Sequence, residues 1–281
     1  MERYRRNYNI ARVINVAAAA AGTVWYYIAY ALGRVFGKTS QSLLALNIHA
    51  RSEVVTTMRG VRFVCSNVNY YLRVKATYDK EAATLRWIDS FPPQSRMWDV
   101  GANVGCLALY AATRGHRVWA FEPQPPNYAA LSVNIIANSL SNVCALNIAL
   151  YSDTKVSELN GLSMEAGAAW NVFDRSLESV HSSLRTLFKF NALSMRADEL
   201  IERFSLPVPD FIKLDVDGNE LDILEGAPAL LANSGLKGML IEMTPAQADY
   251  EPILQLLDNH GFKPSLRDVH GTVENVVFVR K

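Results

Sequence analysis

The sequence predicts an α/β fold, a doubly wound and mostly parallel seven-stranded sheet that ends in an antiparallel C-terminal hairpin. Three observations predict it. From residue 97 onward, short apolar runs alternate with longer segments whose apolar residues recur at three- and four-residue steps. A bend rich in glycine and asparagine, Asp99-Val-Gly-Ala-Asn-Val-Gly105, follows the first of those runs. The last two runs are joined by Leu266-Arg-Asp-Val-His-Gly271, which is too short for a crossover helix.

The apolar runs place strands at Met97–Val100, Arg117–Phe121, Val143–Ala149, Phe211–Leu214 and Gly238–Ile241, with the final pair at Phe262–Ser265 and Asn275–Val279. Helical spacing fills the gaps at Cys106–Thr113, Pro126–Asn138, Ala197–Phe204, Glu220–Ala232 and Pro245–His260. Regularity breaks down across residues 152–191 into Gly, Ser and scattered aromatics, a length that a compact sheet carries when the segment covers something. We read it as a substrate-side flap within a main domain spanning 96–281, preceded by lead-in elements at 41–95 and a separate N-terminal segment at 1–40.

With 281 residues at 50% hydrophobic and 20% charged, the chain is long enough for one large core. Lys and Arg total 28 against 27 Asp and Glu, and a net charge of +1 offers no electrostatic footprint for nucleic acid. The three cysteines, Cys65, Cys106 and Cys144, are far apart and lack metal-ligand spacing. They read as reduced thiols of a cytoplasmic domain, with Cys106 and Cys144 as small buried hydrophobes. No Asn-x-Ser/Thr sequon occurs.

The first forty residues pose a separate question. A basic start precedes Val13–Gly33, an uncharged run of about 21 residues, long enough to cross a bilayer, and Arg34 and Lys38 follow it. Positive residues on both sides leave three placements open: spanning, lying in the interface through residues 9–36, or packing as a helix on the domain. Gly33-Arg-Val-Phe-Gly37-Lys38-Thr39 imitates a phosphate-binding loop, but it is one residue short between glycines and no strand precedes it.

In an open α/β sheet, ligands settle beyond the carboxyl ends of the strands, where the strand order reverses. Asp99 to Gly105 stands where the first strand ends. Gly101 permits a sharp turn, Asn103 tolerates a left-handed backbone, and Gly105 lets the next helix begin close to a ligand. The second strand ends in Phe121-Glu122-Pro123, and an acid at that spacing grasps a ribose diol in dinucleotide-type folds. Gly-x-Gly-x-x-Gly is absent, which favours a nucleoside without phosphates over a nicotinamide dinucleotide.

Asp99-Val-Gly-Ala-Asn-Val-Gly105, Ala120-Phe-Glu-Pro123 and Ile212-Lys-Leu-Asp-Val-Asp-Gly-Asn-Glu220 together resemble the FkbM-type S-adenosylmethionine-dependent methyltransferases, supported by Tyr78-Asp-Lys80-Glu81 before the first strand. The resemblance covers about residues 78 to 265 and implies a Rossmann-like class I methyltransferase fold with S-adenosyl-L-methionine as cofactor. It implies that Asp99, Gly101, Asn103 and Gly105 line the methionine and ribose side and that Glu122 takes the ribose hydroxyls. By the same resemblance Asn138 and the Asn147–Ala149 strand end lie where adenine is held, and Glu81 and Thr84 either close over the methionine part or form an ordinary helix surface. The Ala166–Phe173 region departs from the family pattern.

The implied reaction is O-methylation of a hydroxyl on a sugar, glycolipid or secondary metabolite. Methyl transfer to oxygen needs a collinear arrangement and a base for the hydroxyl proton. Asp215 ends the fourth strand and Glu242 the fifth, so both are candidate bases; Asp215 as a cofactor-binding helper remains open. Asp217, Gly218 and Glu220 shape the next turn. Lys213 reads as a satisfied charge on the sheet's side, His116 as a surface residue and His181 as a flap residue that approaches substrate or is solvated. Dispersed carboxylates predict no metal. A non-catalytic adenosine-ligand binder or membrane-tethered scaffold is the alternative from another class, and a nicotinamide dehydrogenase is the third.

Overall fold

The computed structural model describes residues 54–180 and 183–281. The N-terminal segment, with its bilayer-length run and its membrane contact through 9–36, lies outside the described residues, as does His181. Among the described residues no helix is long and apolar enough to cross a membrane.

The chain opens with β1 (Val54–Met58) and β2 (Val61–Cys65), paired as a two-stranded sheet, then α1 (Val68–Lys80) and α2 (Ala82–Asp89). The alternating core follows: β3 (Arg96–Val100), α3 (Cys106–Thr113), β4 (Arg117–Phe121), α4 (Pro125–Ala137) and β5 (Val143–Leu146). Next come β6 (Ala149–Leu150), β7 (Lys155–Gly161), β8 (Val172–Phe173), the single turn α5 (Leu177–Val180) and β9 (Phe188–Met195). The second half runs α6 (Ala197–Phe204), β10 (Phe211–Leu214), α7 (Glu220–Glu225), α8 (Pro228–Ala232), β11 (Gly238–Met243), α9 (Tyr250–Asn259), β12 (Phe262–His270) and β13 (Val273–Arg280).

Seven strands form the main sheet in the order β12-β13-β11-β10-β3-β4-β5. The five from β11 to β5 are parallel, and β13 runs antiparallel to both β11 and β12. The parallel strands read as near-continuous apolar runs because helices cover both faces: four of the five β3 residues are buried. Trp98, Phe121, Leu214 and Ile241 belong to one large core cluster on this sheet. Helix α3 is apolar almost all round, with seven of eight residues buried, which suits an element packed inside the protein rather than on its surface.

Several expectations are corrected. The predicted strand Val143–Ala149 breaks after Leu146, and β6 pairs with β9 in a second sheet. The predicted helix over 220–232 is two pieces, because Pro228 has no amide hydrogen to continue α7 and begins α8 instead. The last helix begins at Tyr250, not Pro245. The hairpin strands extend to His270 and from Val273. Residues 152–191 carry more structure than expected: β7, β8 and the start of β9 fall there and join β6 in a four-stranded sheet of order β6-β9-β7-β8. Cys144 is exposed because β5 is the outer strand of its sheet, whereas Cys106 is buried. His116 is 3% exposed, its ring edge-on to Phe91 at 5.5 Å, and burial pushes its imidazole below the usual range.

Candidate functional site

The chain leaves β3 toward β4 and β5 on one side and returns to β10 and β11 on the other, so the strand order reverses between β3 and β10. A crevice opens where such a reversal occurs. The bend after β3 and the bend after β10 meet there. Gly101 adopts φ +79°, and a Cβ placed on it would stand 1.9 Å from the Asp215 carbonyl oxygen. Only a residue without a side chain lets the two strand ends come this close. Asn103 takes the left-handed backbone expected of it, at φ +51°. Its amide donates to Glu122 Oε2 at 2.7 Å and its side chain donates to the Ala168 carbonyl at 2.7 Å.

A cavity of about 320 Å³ fills the crevice, with Asp99, Gly101, Asn103, Glu122, Asp215 and Glu242 on its wall. Six of the expected site residues therefore converge, although they come from four different strand ends. The Asp99 side chain is 1% exposed, and Lys213 Nζ lies 3.5 Å from it. That ammonium is itself buried and stands 3.0 Å from Asp215 Oδ2, and the two negative neighbours raise its pKa despite burial. Lys213 is thus a satisfied charge as expected, but inside the site.

Glu122 is buried and its carboxylate also accepts the Gln124 amide at 2.8 Å. Burial outweighs these bonds and pushes the group up to about 7. Glu242 is pushed up further, to about 9, first by the charge of Asp215 and then by burial. Glu220 does what the turn requires, receiving the amides of Val216 and Gly218 at 3.1 and 3.3 Å.

Five expected residues are not on this wall. The space that Gly105 leaves is filled by Leu131 and Leu109, so the glycine serves helix packing rather than a ligand. Asn138 exchanges two hydrogen bonds with the Arg62 backbone, at 2.8 and 2.7 Å, and ties β2 to the end of α4. Ala149 lines a smaller slot of about 30 Å³ with Ile148, and this slot shares Gly101, Pro123, Asn171 and Val216 with the main cavity. Asn147 latches the Glu122 and Pro123 carbonyls at 2.8 and 3.1 Å. Glu81 does reach the cavity; Thr84 is buried behind it and donates to Glu81 at 2.6 Å.

Sequence reasoning missed Arg73 on α1, Trp170 in the flap and His270 at the hairpin tip, all on the cavity wall. The departure of Ala166–Phe173 from the family pattern was the signal for Trp170. The carboxylates are not dispersed either. Asp215, Asp217 and Glu242 each place one oxygen within 4.8 Å of the others, and Asp217 also receives the Trp170 amide at 2.7 Å.

Residues 99–264 match the family model described as the methyltransferase FkbM domain. Among curated proteins, the chain is similar to the hexuronic acid methyltransferase AglP of Haloferax volcanii, 24% identical over 178 residues that cover 63% of this chain and 69% of that one. It is also similar to Methyltransferase 1 of Beauveria bassiana, 23% identical over 199 residues, covering 61% and 74%. Among solved structures, TYW2 of M. jannaschii in complex with AdoMet aligns at a TM-score of 0.43 with 13% identity, covering 82% of this chain and 87% of that one.

Proposed function

Because the chain belongs to the FkbM methyltransferase family, we propose that it transfers a methyl group from S-adenosyl-L-methionine to an oxygen of a sugar or related small acceptor seated beside Asp215 and Glu242. The convergence of Asp99, Glu122, Asp215 and Glu242 on one cavity carries this reading.

The residues present fit the cofactor. Asp99 lines the cavity floor as a buried carboxylate whose counter-charge, the Lys213 ammonium, stands 3.5 Å away, which leaves it acceptor positions for a polar group of the ligand. Glu122 has accepted two backbone amides and retains lone pairs for a ribose diol. Pro123 on the main cavity wall, with Ile148 and Ala149 in the adjoining slot of about 30 Å³, supplies apolar surface beside the crevice. When bound, the cofactor supplies an electrophilic methyl group on a sulfonium.

The chain's own residues then hold the acceptor and move one proton. Glu242 keeps its proton at neutral pH and donates a hydrogen bond to an acceptor oxygen. Asp215, whose negative charge raises Glu242, would take the proton that the acceptor hydroxyl gives up when its oxygen receives the methyl group. The family assignment lends no support to a non-catalytic binder.

The AglP name motivates sugar acids as first acceptors to try. Purified protein is incubated with the cofactor and candidate glycans, and products are searched by mass spectrometry for one added methylene mass. Asp215→Asn is expected to lower kcat by about 10²–10⁴-fold and to leave S-adenosylhomocysteine affinity within a few-fold. An equal loss of both would return Asp215 to a cofactor-binding role.

A further inference from the structure

The flap residue Trp170 has no part in the chemistry above, yet its backbone is held in a strained state. It adopts φ +63°, a left-handed conformation that bulky side chains disfavour. Asp217, across the cavity mouth in sequence, is also left-handed at φ +62°, and its carboxylate receives the Trp170 amide at 2.7 Å and the Asn171 amide at 3.4 Å. Two strained segments therefore clasp each other. The loop before Trp170 is fixed as firmly: Asn127 accepts the Gly167 amide at 2.8 Å, Arg73 donates to the Gly167 carbonyl at 3.2 Å, and Asn103 and Asn127 both donate to Ala168.

So many restraints on Gly167–Asn171 fix where one residue stands, and Trp170 lines the cavity while remaining 37% exposed. The same wall carries Asp215, Asp217 and Glu242. An aromatic surface beside several carboxylates matches the two faces of a pyranose, with C–H bonds on one side and hydroxyl protons at the edge. We infer that Trp170 is the platform on which the acceptor ring rests, a specificity-determining residue for polyhydroxylated rings. This inference rests on the methyltransferase reading of the site.

The test is calorimetric titration of the full chain saturated with S-adenosylhomocysteine, using methyl glucoside and glucuronic acid as probes and cyclohexanecarboxylic acid as a ring without hydroxyls. The sugars are expected to bind and the cyclohexane ring to bind at least tenfold more weakly. Trp170→Gly suits the left-handed backbone, so it is expected to hold or raise Tm while weakening sugar binding tenfold or more. Trp170→Phe should recover most of that loss, and neither variant should change S-adenosylhomocysteine affinity more than twofold. Failure of both sugars to bind, or sugar affinity unmoved in Trp170→Gly, overturns the inference. Absence of heat from S-adenosylhomocysteine itself would instead overturn the methyltransferase reading.

Discussion

Lys213 shows how much one buried charge organises. Its ammonium lies between Asp99 and Asp215 at 3.5 and 3.0 Å and reaches the Gly101 carbonyl at 3.4 Å, so it joins the ends of β3 and β10 beneath the cavity. Removing one partner from a buried ion pair leaves the others uncompensated. Lys213→Met is therefore expected to lower unfolding free energy by about 3 kcal/mol, measured by urea denaturation; a change under 1 kcal/mol would show that the ammonium is not the counter-charge. The same geometry bears on metals. Asp215 already has a cation supplied by the chain, so turnover is expected to persist in EDTA. Activity lost to EDTA and restored by a divalent cation would assign Asp215, Asp217 and Glu242 to a metal instead. From sequence, Lys213 was legible as a charge that must be satisfied, because it interrupts the apolar run Phe211–Leu214. Its partners were not legible, since they are set by which strands become neighbours.

At the scale of elements, what was legible follows from how each element is buried. Strands β4 and β10 and helices α3 and α6 match their predicted bounds: buried β4 is apolar from Val118 to Phe121, and α6, buried on one side, shows helical spacing. The four-stranded sheet escaped because its alternation is mixed. Val156 and Leu193 pair across β7 and β9 with 69% and 43% exposure, while the polar Asn160 and Ser194 point inward. The buried side holds only a small apolar cluster, Leu159, Phe173 and Ala192 with Phe190, so little hydrophobic pattern marks these strands. The bend after β3 was legible in residue type but only partly in purpose: Gly101 makes the close approach to β10, whereas Gly105 serves helix packing. Gly101→Ala combines a disfavoured φ with a Cβ 1.9 Å from a backbone oxygen, which no rotamer relieves. It is expected to cost 4 kcal/mol or more, on the order of the exceptional single-site losses, and to abolish S-adenosylhomocysteine binding. Gly115→Ala is the matched control, because its φ is +87° but nothing stands within 4 Å of the added Cβ. Thermal unfolding of both variants separates collision from backbone strain, and equal losses would remove the close-approach argument.

Over the whole molecule, these carboxylates shape how stability responds to pH. Burial pushes Glu122 and Glu220 up to about 7, and Glu242 is raised to about 9 by Asp215 and by burial, all from an ordinary 4.5. A raised carboxyl binds its proton more tightly in the folded chain than in the unfolded one. Between the two pKa values the folded state therefore holds more protons, and stability falls as pH rises. The loss begins near pH 4.5, is complete for Glu122 and Glu220 once pH passes about 7, and continues for Glu242 to about 9. Asp210 acts oppositely, because Arg96 and Lys237 hold it well below the usual range. Its contribution is present above its unfolded pKa and disappears only in strong acid, so it leaves the neutral window untouched. Tm is thus expected to decline steadily from pH 5 to pH 9. Glu242→Gln keeps the hydrogen-bonding shape without the charge, so it should flatten the segment between pH 7 and 9 and raise Tm at pH 9 by about 2–4 °C for each kcal/mol regained. Because its amide still donates a hydrogen bond, the same variant should keep most of its methyl transfer at neutral pH. Differential scanning calorimetry across that range decides the matter, and a Tm that rises from pH 5 to 9 would mean that these acids are solvated rather than buried against one another.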